Sequence, residues 1–173
     1  MIGNKLREAM NEQIKNELES AYIYLSMCAY FHDQGFDGMA GWMRSQALEE
    51  MTHAQKFFDY LVERGGKVVL LPLNIAKTEW ASPLEAFQDA YKHEQFITGK
   101  INELVTLARQ ENDYASEAML QWFVTEQVEE EASVSKVVQD FERVGDKGHG
   151  LFMLDRELGK RTFSMPAAEN GDT

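Results

Sequence analysis

Four long helical runs separated by three unequal breaks constrain this chain more than any other feature of its sequence. The first run extends from Asn4 to about Phe31 and is broken by Asp33-Gln34-Gly35. Asp37 is the expected N-cap of the second, which continues to about Glu63 and stops at Arg64-Gly65-Gly66. The third has the clearest start: Ser82-Pro83-Leu84-Glu85 offers a capping serine, proline at the first helical position and glutamate at the third. It ends near Glu111-Asn112, and Asp113 caps a fourth run that ends near Gly145. A short fifth segment, Leu151 to Leu158, follows Gly148-His149-Gly150. Each of the first four holds roughly 27 to 32 residues and spans about 40 Å or more.

The lengths of the breaks dictate the topology. The first and third are a few residues, so they join antiparallel hairpins. The middle one, Gly65 to Ala81, is long enough to travel back along the bundle, which makes helices two and three parallel. The expected fold is all-α: a four-helix bundle with one long crossover and a short fifth C-terminal helix. Residues 1–165 form one domain, and the tail 166–173, from Pro166 onward, reads as disordered. Within the crossover, Val68-Val69-Leu70-Leu71 is an extended apolar stretch suited to burial against a partner subunit.

The totals exclude several classes of function. A net charge of −12 repels phosphate backbones and attracts cations, so nucleic acid is not an expected partner. Cys28 is the only cysteine, which excludes an internal disulfide and Cys-rich zinc or iron–sulfur sites. Met1-Ile2-Gly3-Asn4-Lys5 lacks the apolar run of a secretory signal. No stretch approaches the roughly 20 apolar residues of a membrane span. The expected setting is the cytoplasm.

The carboxylates carry the functional signal. In helix one, Glu17 lies on the apolar stripe of Met10, Ile14, Ala21, Tyr24, Cys28 and Phe31. In helix two, Glu50 lies on the stripe of Met43, Ala47, Ala54, Phe57 and Leu61, with His53 three residues on. Glu94 interrupts Phe87, Tyr91, Ile97, Ile101 and Ala108 in helix three. Glu130 interrupts Phe123, Val134, Val137 and Phe141 in helix four, with Gln127 one turn before it. Glu17, Glu50 and Glu94 sit roughly 13 residues into their helices and Glu130 about 17 into its own, so all four meet near one level.

A lone glutamate on an apolar stripe is usually an edge residue whose tip reaches water. Four at matching depth in a matching topology are another matter. Unpaired buried carboxylates cost several kcal/mol each and repel one another, and cations remove both problems. Glutamates on two helices with Glu-x-x-His on the other two form the ligand pattern of di-metal carboxylate bundles. One such motif is present, Glu50-Met51-Thr52-His53, while helix four has Gln127-Val128-Glu129-Glu130 in its place. An oxygen-rich set with one imidazole suits iron or manganese, with zinc a competitor.

Other residues fall around this set. Tyr24 shares the face of Glu17. Glu49, Glu126 and Glu129 form a second acidic group on the inner edge of helices two and four, fit for a third cation or for plain solvation. His93 points about 100° away from Glu94, and His32 and His149 lie near helix ends as solvated groups. Trp122 reads as a packing residue. Met51 is of a type that can ligate haem, but nothing else in the sequence supports haem, so packing is its expected role.

Four segments together resemble bacterial and archaeal non-haem ferritins. They are Asn11-Glu12-Gln13-Ile14-Lys15-Asn16-Glu17-Leu18-Glu19, Glu49-Glu50-Met51-Thr52-His53-Ala54, Tyr91-Lys92-His93-Glu94, and the run Leu120 to Glu131. The resemblance covers about Lys5 to Phe163. It implies a hollow shell of twenty-four subunits that stores iron and oxidises Fe(II) with O2 or H2O2. Glu17 and His53 would hold one iron, Glu50 would bridge, and Glu94 and Glu130 would hold the second with Gln127 close by. Glu49, Glu126 and Glu129 would supply a third iron position, and Tyr24 would stand beside the centre as a catalytic residue. The fifth helix would line fourfold axes, and Glu117 would lie near the threefold axes.

Departures mark off neighbouring families. Bacterioferritins resemble the chain around Glu50-Met51 but carry a second Glu-x-x-His, where this chain has Glu130, so no haem is expected. Rubrerythrins need cysteine pairs that Cys28 alone does not supply. The small DNA-protecting relatives lack a fifth helix and share ligands between subunits. Two other functions compete: a di-iron oxygenase acting on an organic substrate, which needs a substrate pocket beside the metals, and a metal-free structural bundle. The acidic inner face favours storage over the first, and the full ligand set favours metal over the second.

Overall fold

The computed structural model describes residues 1–74, 76–145 and 148–163. Among them are five α-helices and no strand: α1 (Asn4–Asp33), α2 (Asp37–Glu63), α3 (Pro83–Gln110), α4 (Tyr114–Val144) and α5 (His149–Leu158). The expected disordered tail from Pro166 lies outside the described residues.

Local chemistry sets most of the boundaries. The Ser82 hydroxyl accepts from the Glu85 N–H at 3.2 Å, with Pro83 opening α3. Asp113 accepts from the Ser116 N–H at 3.1 Å and starts α4. Gly35 and Gly145, at φ of 78° and 72°, take the left-handed conformation where α1 and α4 end. The start of α2 departs from expectation. Phe36 occupies the N-cap position and Asp37 is already helical, its carboxylate instead 3.0 Å from Nδ1 of His32. The capping acceptor comes from elsewhere: Oδ1 of Asp155, on α5, takes the Met39 N–H at 2.9 Å. Two ends also run longer than expected, α1 to Asp33 and α5 back to His149.

Cross-helix contacts settle the directions. Tyr24 meets Glu94 while Phe31 meets Phe87, so α1 and α3 are antiparallel. Trp42 meets Phe87, both near the starts of their helices, so α2 and α3 are parallel, as the long crossover requires. The crossover follows α1. Asn11 holds it with both ends of its amide, donating to the Lys67 carbonyl at 3.0 Å and accepting from the Val69 N–H at 2.7 Å. Further along, Glu19 accepts from Asn74, and Ser26 donates to the Lys77 carbonyl. Val69 and Leu70 of the apolar stretch stay exposed on the single chain.

The core is in two parts. One end holds Leu6, Met10, Ile14, Phe57, Leu61, Ile101, Ala108 and Phe123. The other holds Tyr24, Phe31, Met43, Phe87, Val134 and Phe141, together with Leu151, Leu154 and Leu158 of α5. Cys28 is buried in the second part as a free thiol. Met51, expected to pack, is instead half exposed, because its position on α2 faces away from both parts.

The contact of α5 with the start of α2 allows no extra atom. A Cβ on Gly38 would stand 1.8 Å from the Asp155 carbonyl oxygen, and one on Gly159 would stand 3.1 Å from the Gly38 Cα. Gly38→Ala is therefore expected to destabilise the protein by about 2 kcal/mol through overpacking and to loosen α5. Thermal unfolding and limited proteolysis between α4 and α5 test this; an unchanged melting temperature and cleavage rate would show that the approach is not this close.

Candidate metal centre

Between the two apolar parts lies a polar layer. Glu17, Glu50, His53, Glu94, Gln127 and Glu130 are each only 1 to 4% exposed, which excludes the edge-residue reading for all four glutamates. One ligand atom each from Glu17, Glu50 and His53 lie within 4.8 Å of one another, close enough to hold a single metal ion. His53, Glu126 and Glu130 form a second such group. Helix spacing produces the first: Glu50 and His53 share a face of α2, and Glu17 sits opposite on the antiparallel α1.

Each carboxylate has its own support. Oε1 of Glu17 accepts from Nε2 of Gln13 at 2.8 Å, one turn before it. Oε2 of Glu130 accepts from Nε2 of Gln46 at 2.8 Å. Oε1 of Glu94 accepts from the Tyr24 hydroxyl, and Nε2 of Gln127 stands 3.4 Å from Oε2 of Glu94 and 3.3 Å from Oγ1 of Thr98. Nδ1 of His53 and Oε2 of Glu50 are 3.2 Å apart. Trp122 packs edge-on to the His53 ring, centroids 5.5 Å apart, with the Lys56 ammonium 4.2 Å from its own ring centroid.

Among the described residues two buried acceptors are left over, Oε1 of Gln46 and Oε2 of Glu17. Oε2 of Glu17 is buried and meets no donor. It has a hydrogen bond to make with Glu50 only when one of the two carboxyls keeps its proton. A buried orphan acceptor costs about 1–3 kcal/mol, and a cation between Glu17, Glu50 and His53 would satisfy it. The residues present fit a divalent ion of the first transition row: hard oxygen donors, one imidazole and no sulfur.

The electrostatics agree with that fit. Burial, then the charge of Glu50, pushes the Glu17 carboxyl up to about 8. Burial raises Glu94 to about 7, against the lowering effect of its bonds from Tyr24 and Gln127. Burial and the charge of Glu94 raise Glu130 to about 7. Glu50, between Glu94 and Glu130, is driven well above the usual carboxylate range, chiefly by burial. The Tyr24 phenol is raised well above its ordinary value by burial and by Glu94, so it stays a donor. Without cations the layer holds protons in their place.

The second acidic group is arranged differently from the pattern read on the helices. Glu126 turns toward His53, Oε1 to Nε2 at 4.0 Å, while Glu129 is exposed and Glu49 pairs with Arg161. Nε2 or Oγ1 atoms of Gln13, Gln46 and Thr98, and the Arg161 guanidinium, were not among the residues singled out from sequence. The glutamines carried a signal: each is a polar residue one turn before a buried glutamate on its own stripe, Gln13 before Glu17 and Gln46 before Glu50. His93 does point away from the centre, but it is largely buried, 2.7 Å from Oγ of Ser20, and burial holds its imidazole down to about 4. His32 and His149 are exposed.

Residues 7–144 match the family model of the ferritin-like domain. The chain is 42% identical over 161 residues to the bacterial non-heme ferritin of Bacteroides fragilis, covering 93% of this chain and 100% of that one. It is 37% identical over 163 residues to the bacterial non-heme ferritin of Staphylococcus aureus, covering 94% and 98%. Among solved structures, a closed form of the Archaeoglobus fulgidus ferritin made by site-directed mutagenesis superposes with a TM-score of 0.93 at 47% identity, covering 95% of this chain and 100% of that one. The open-pore ferritin of the same archaeon superposes with a TM-score of 0.92 at 47% identity, covering 94% and 100%.

The proton-holding layer has a consequence for stability. The Glu17 carboxyl titrates at 4.5 when unfolded and at about 8 when folded, so between those values the folded chain holds a proton the unfolded chain has lost. Its stabilising effect is complete below pH 4.5 and is lost as pH rises to about 8. Glu94 and Glu130 add losses up to about 7. In chelator, stability is expected to fall from pH 5 to pH 8 by a few kcal/mol per subunit, read as a falling melting temperature, and to fall less steeply in Glu17→Gln. A flat or rising profile would contradict the assignment.

Proposed function

The chain belongs to the ferritin family, and we propose that it takes up Fe(II), oxidises it in pairs at a centre within each subunit, and stores the ferric product. The storage vessel is a hollow shell of copies of this chain, twenty-four in number, in the cytoplasm. Among the described residues no helix is long and apolar enough to cross a membrane. The observation that carries the reading is the buried layer of four glutamates and one histidine, with the orphan oxygen of Glu17 aimed into it.

Each residue has a part in the chemistry. Glu17 and His53 hold one ferrous ion, Glu94 and Glu130 the other, and Glu50 lies between them as the shared ligand. Gln127 positions Glu94, and Gln13 and Gln46 fix Glu17 and Glu130. Because burial raises the proton affinity of these carboxyls, Glu17 most of all, uptake of the irons expels the protons they hold. Each Fe(II) then gives up one electron. O2 accepting both, with two protons, leaves as H2O2; H2O2 accepting both, with two protons, leaves as two waters. Two electrons thus depart together, without release of a one-electron radical. Iron supplies the redox change, and the protein supplies ligand number, spacing and open positions for the oxidant.

Tyr24 donates to Glu94 and sits within the core beside the layer. Its proposed part is to supply or relay an electron during oxidation, its phenolic proton passing to Glu94 as the electron leaves and both being returned when a further Fe(II) reduces it. Glu49, Glu126 and Glu129 provide a third iron position on the inner edge, through which ferric product moves toward the mineral. No haem is part of this reading.

Anaerobic Fe(II) titration of the metal-free protein, followed by exposure to O2 with absorbance recorded, tests the centre. Wild type is expected to saturate at two or three irons per chain and to oxidise them quickly; Glu50→Ala should lose the fast phase, a drop of about 100-fold or more. Oxidation no faster than in buffer, alike in both proteins, would leave a passive shell or a metal-free bundle. For Tyr24→Phe a changed oxidation course is expected, and an unaltered one would remove the tyrosine from the mechanism.

A further inference from the structure

Arg161 follows α5 and reaches back to α2, where its Nη2 stands 2.5 Å from Oε2 of Glu49. Its guanidinium lies over the buried Trp42, 4.6 Å from the ring centroid. Its Nη1 is buried and meets no acceptor among the described residues. A guanidinium presents a planar fork of donors and normally takes a carboxylate with both nitrogens. Here one nitrogen stays dry, so the side chain is held by charge and by the ring face rather than by full use of its donors.

The partner explains the position. Glu49 borders the metal layer and feels the charges of Arg161, His53 and Glu126. Among the described residues, no lysine or arginine stands within ion-pair reach of Glu17, Glu50, Glu94 or Glu130, the buried glutamates of the layer. Glu49, less buried, cancels its charge with Arg161. We propose that Arg161 is the resident counter-cation of Glu49: a divalent cation entering the third position must displace the guanidinium, and its arrival frees the segment after α5 from Trp42. The proposal rests on reading Glu49, Glu126 and Glu129 as a third iron position.

The exchange is a plain substitution of one cation for another, with no bond made or broken covalently. Its effect is to rank the positions. The two positions of the buried layer have no such cation to displace, whereas the third must give up an ion pair and a ring contact. The third position therefore fills last and empties first, as a way station toward a mineral should.

Zn(II), which has no redox chemistry here, is the probe. Titrated calorimetrically into metal-free wild type, it should fill two tighter positions and then a weaker third. Arg161→Gln should tighten only the third, by about fivefold, the scale of one partly exposed ion pair. Hydrogen exchange read by mass spectrometry on wild type gives a second measurement independent of the variant: amides of residues 159–163 should exchange faster once the third ion binds. A merely structural arginine would lower the melting temperature of the variant and leave the third constant unchanged. Three ions in both proteins with the same weak constant, or a segment whose exchange does not change, would overturn the role of Arg161 alone. Two ions in both proteins would sink the third position itself and the proposal with it.

Discussion

The burial of four carboxylates at one level of the bundle is the constraint on which the rest of the structure depends. An ordinary four-helix core is continuous. Here it is cut in two, with Leu6, Phe57 and Phe123 on one side of the cut and Phe31, Met43 and Phe141 on the other. Each part makes a dry, close-packed wall. The walls remove water from the layer, which raises the proton affinity of its carboxyls and strengthens any cation held among them. They also fix four helices at a common depth, so ligands from four separate stretches of chain converge without a loop in the site.

The two halves of the layer are not supported alike. Glu94 and Glu130 are held by donors from other helices, the Tyr24 hydroxyl, the Gln127 amide and the Gln46 amide. The half formed by Glu17, Glu50 and His53 is held only from within single helices, by Gln13 on Glu17 and by His53 beside Glu50, and Oε2 of Glu17 is left unsatisfied among the described residues. That half relies on a proton or a cation for its cohesion. The distinction gives the two positions different character: one is preorganised by the protein, and the other is completed by what it binds.

Much of this was legible in the sequence. Stripe positions identify Glu17, Glu50, Glu94 and Glu130 because helical period alone decides which side chains face inward, and a long helix leaves little freedom in that choice. Ser82-Pro83 and Asp113 fix helix starts because their partners lie within three residues. What was not legible depends on contacts far apart in the chain. The start of α2 looked self-capped by Asp37, but the acceptor is Asp155, more than a hundred residues away. Arg161 gave no sign of its role, since nothing in Lys160-Arg161-Thr162 reveals that this segment returns to Glu49. The second acidic group was read by angle around one helix, which does not fix rotamers; Glu126 turns to His53 and Glu129 to solvent.

These long-range contacts make α5 part of the centre rather than an appendage to the bundle. Helix α2 carries Glu49, Glu50 and His53, three of the groups at or beside the layer. Its first turn is capped by Asp155 and closed upon by Gly159, and its middle is reached by Arg161. A displacement of α5 would therefore unsatisfy the Met39 N–H, expose the Trp42 face and leave Glu49 uncompensated at once. Three small penalties on one helix add up to a shift of the ligands it presents, because a packed helix moves as a unit rather than bending residue by residue. The close approach of Gly38 to the Asp155 backbone fits this arrangement: only a residue without a side chain lets α5 come near enough to deliver both the cap and the arginine.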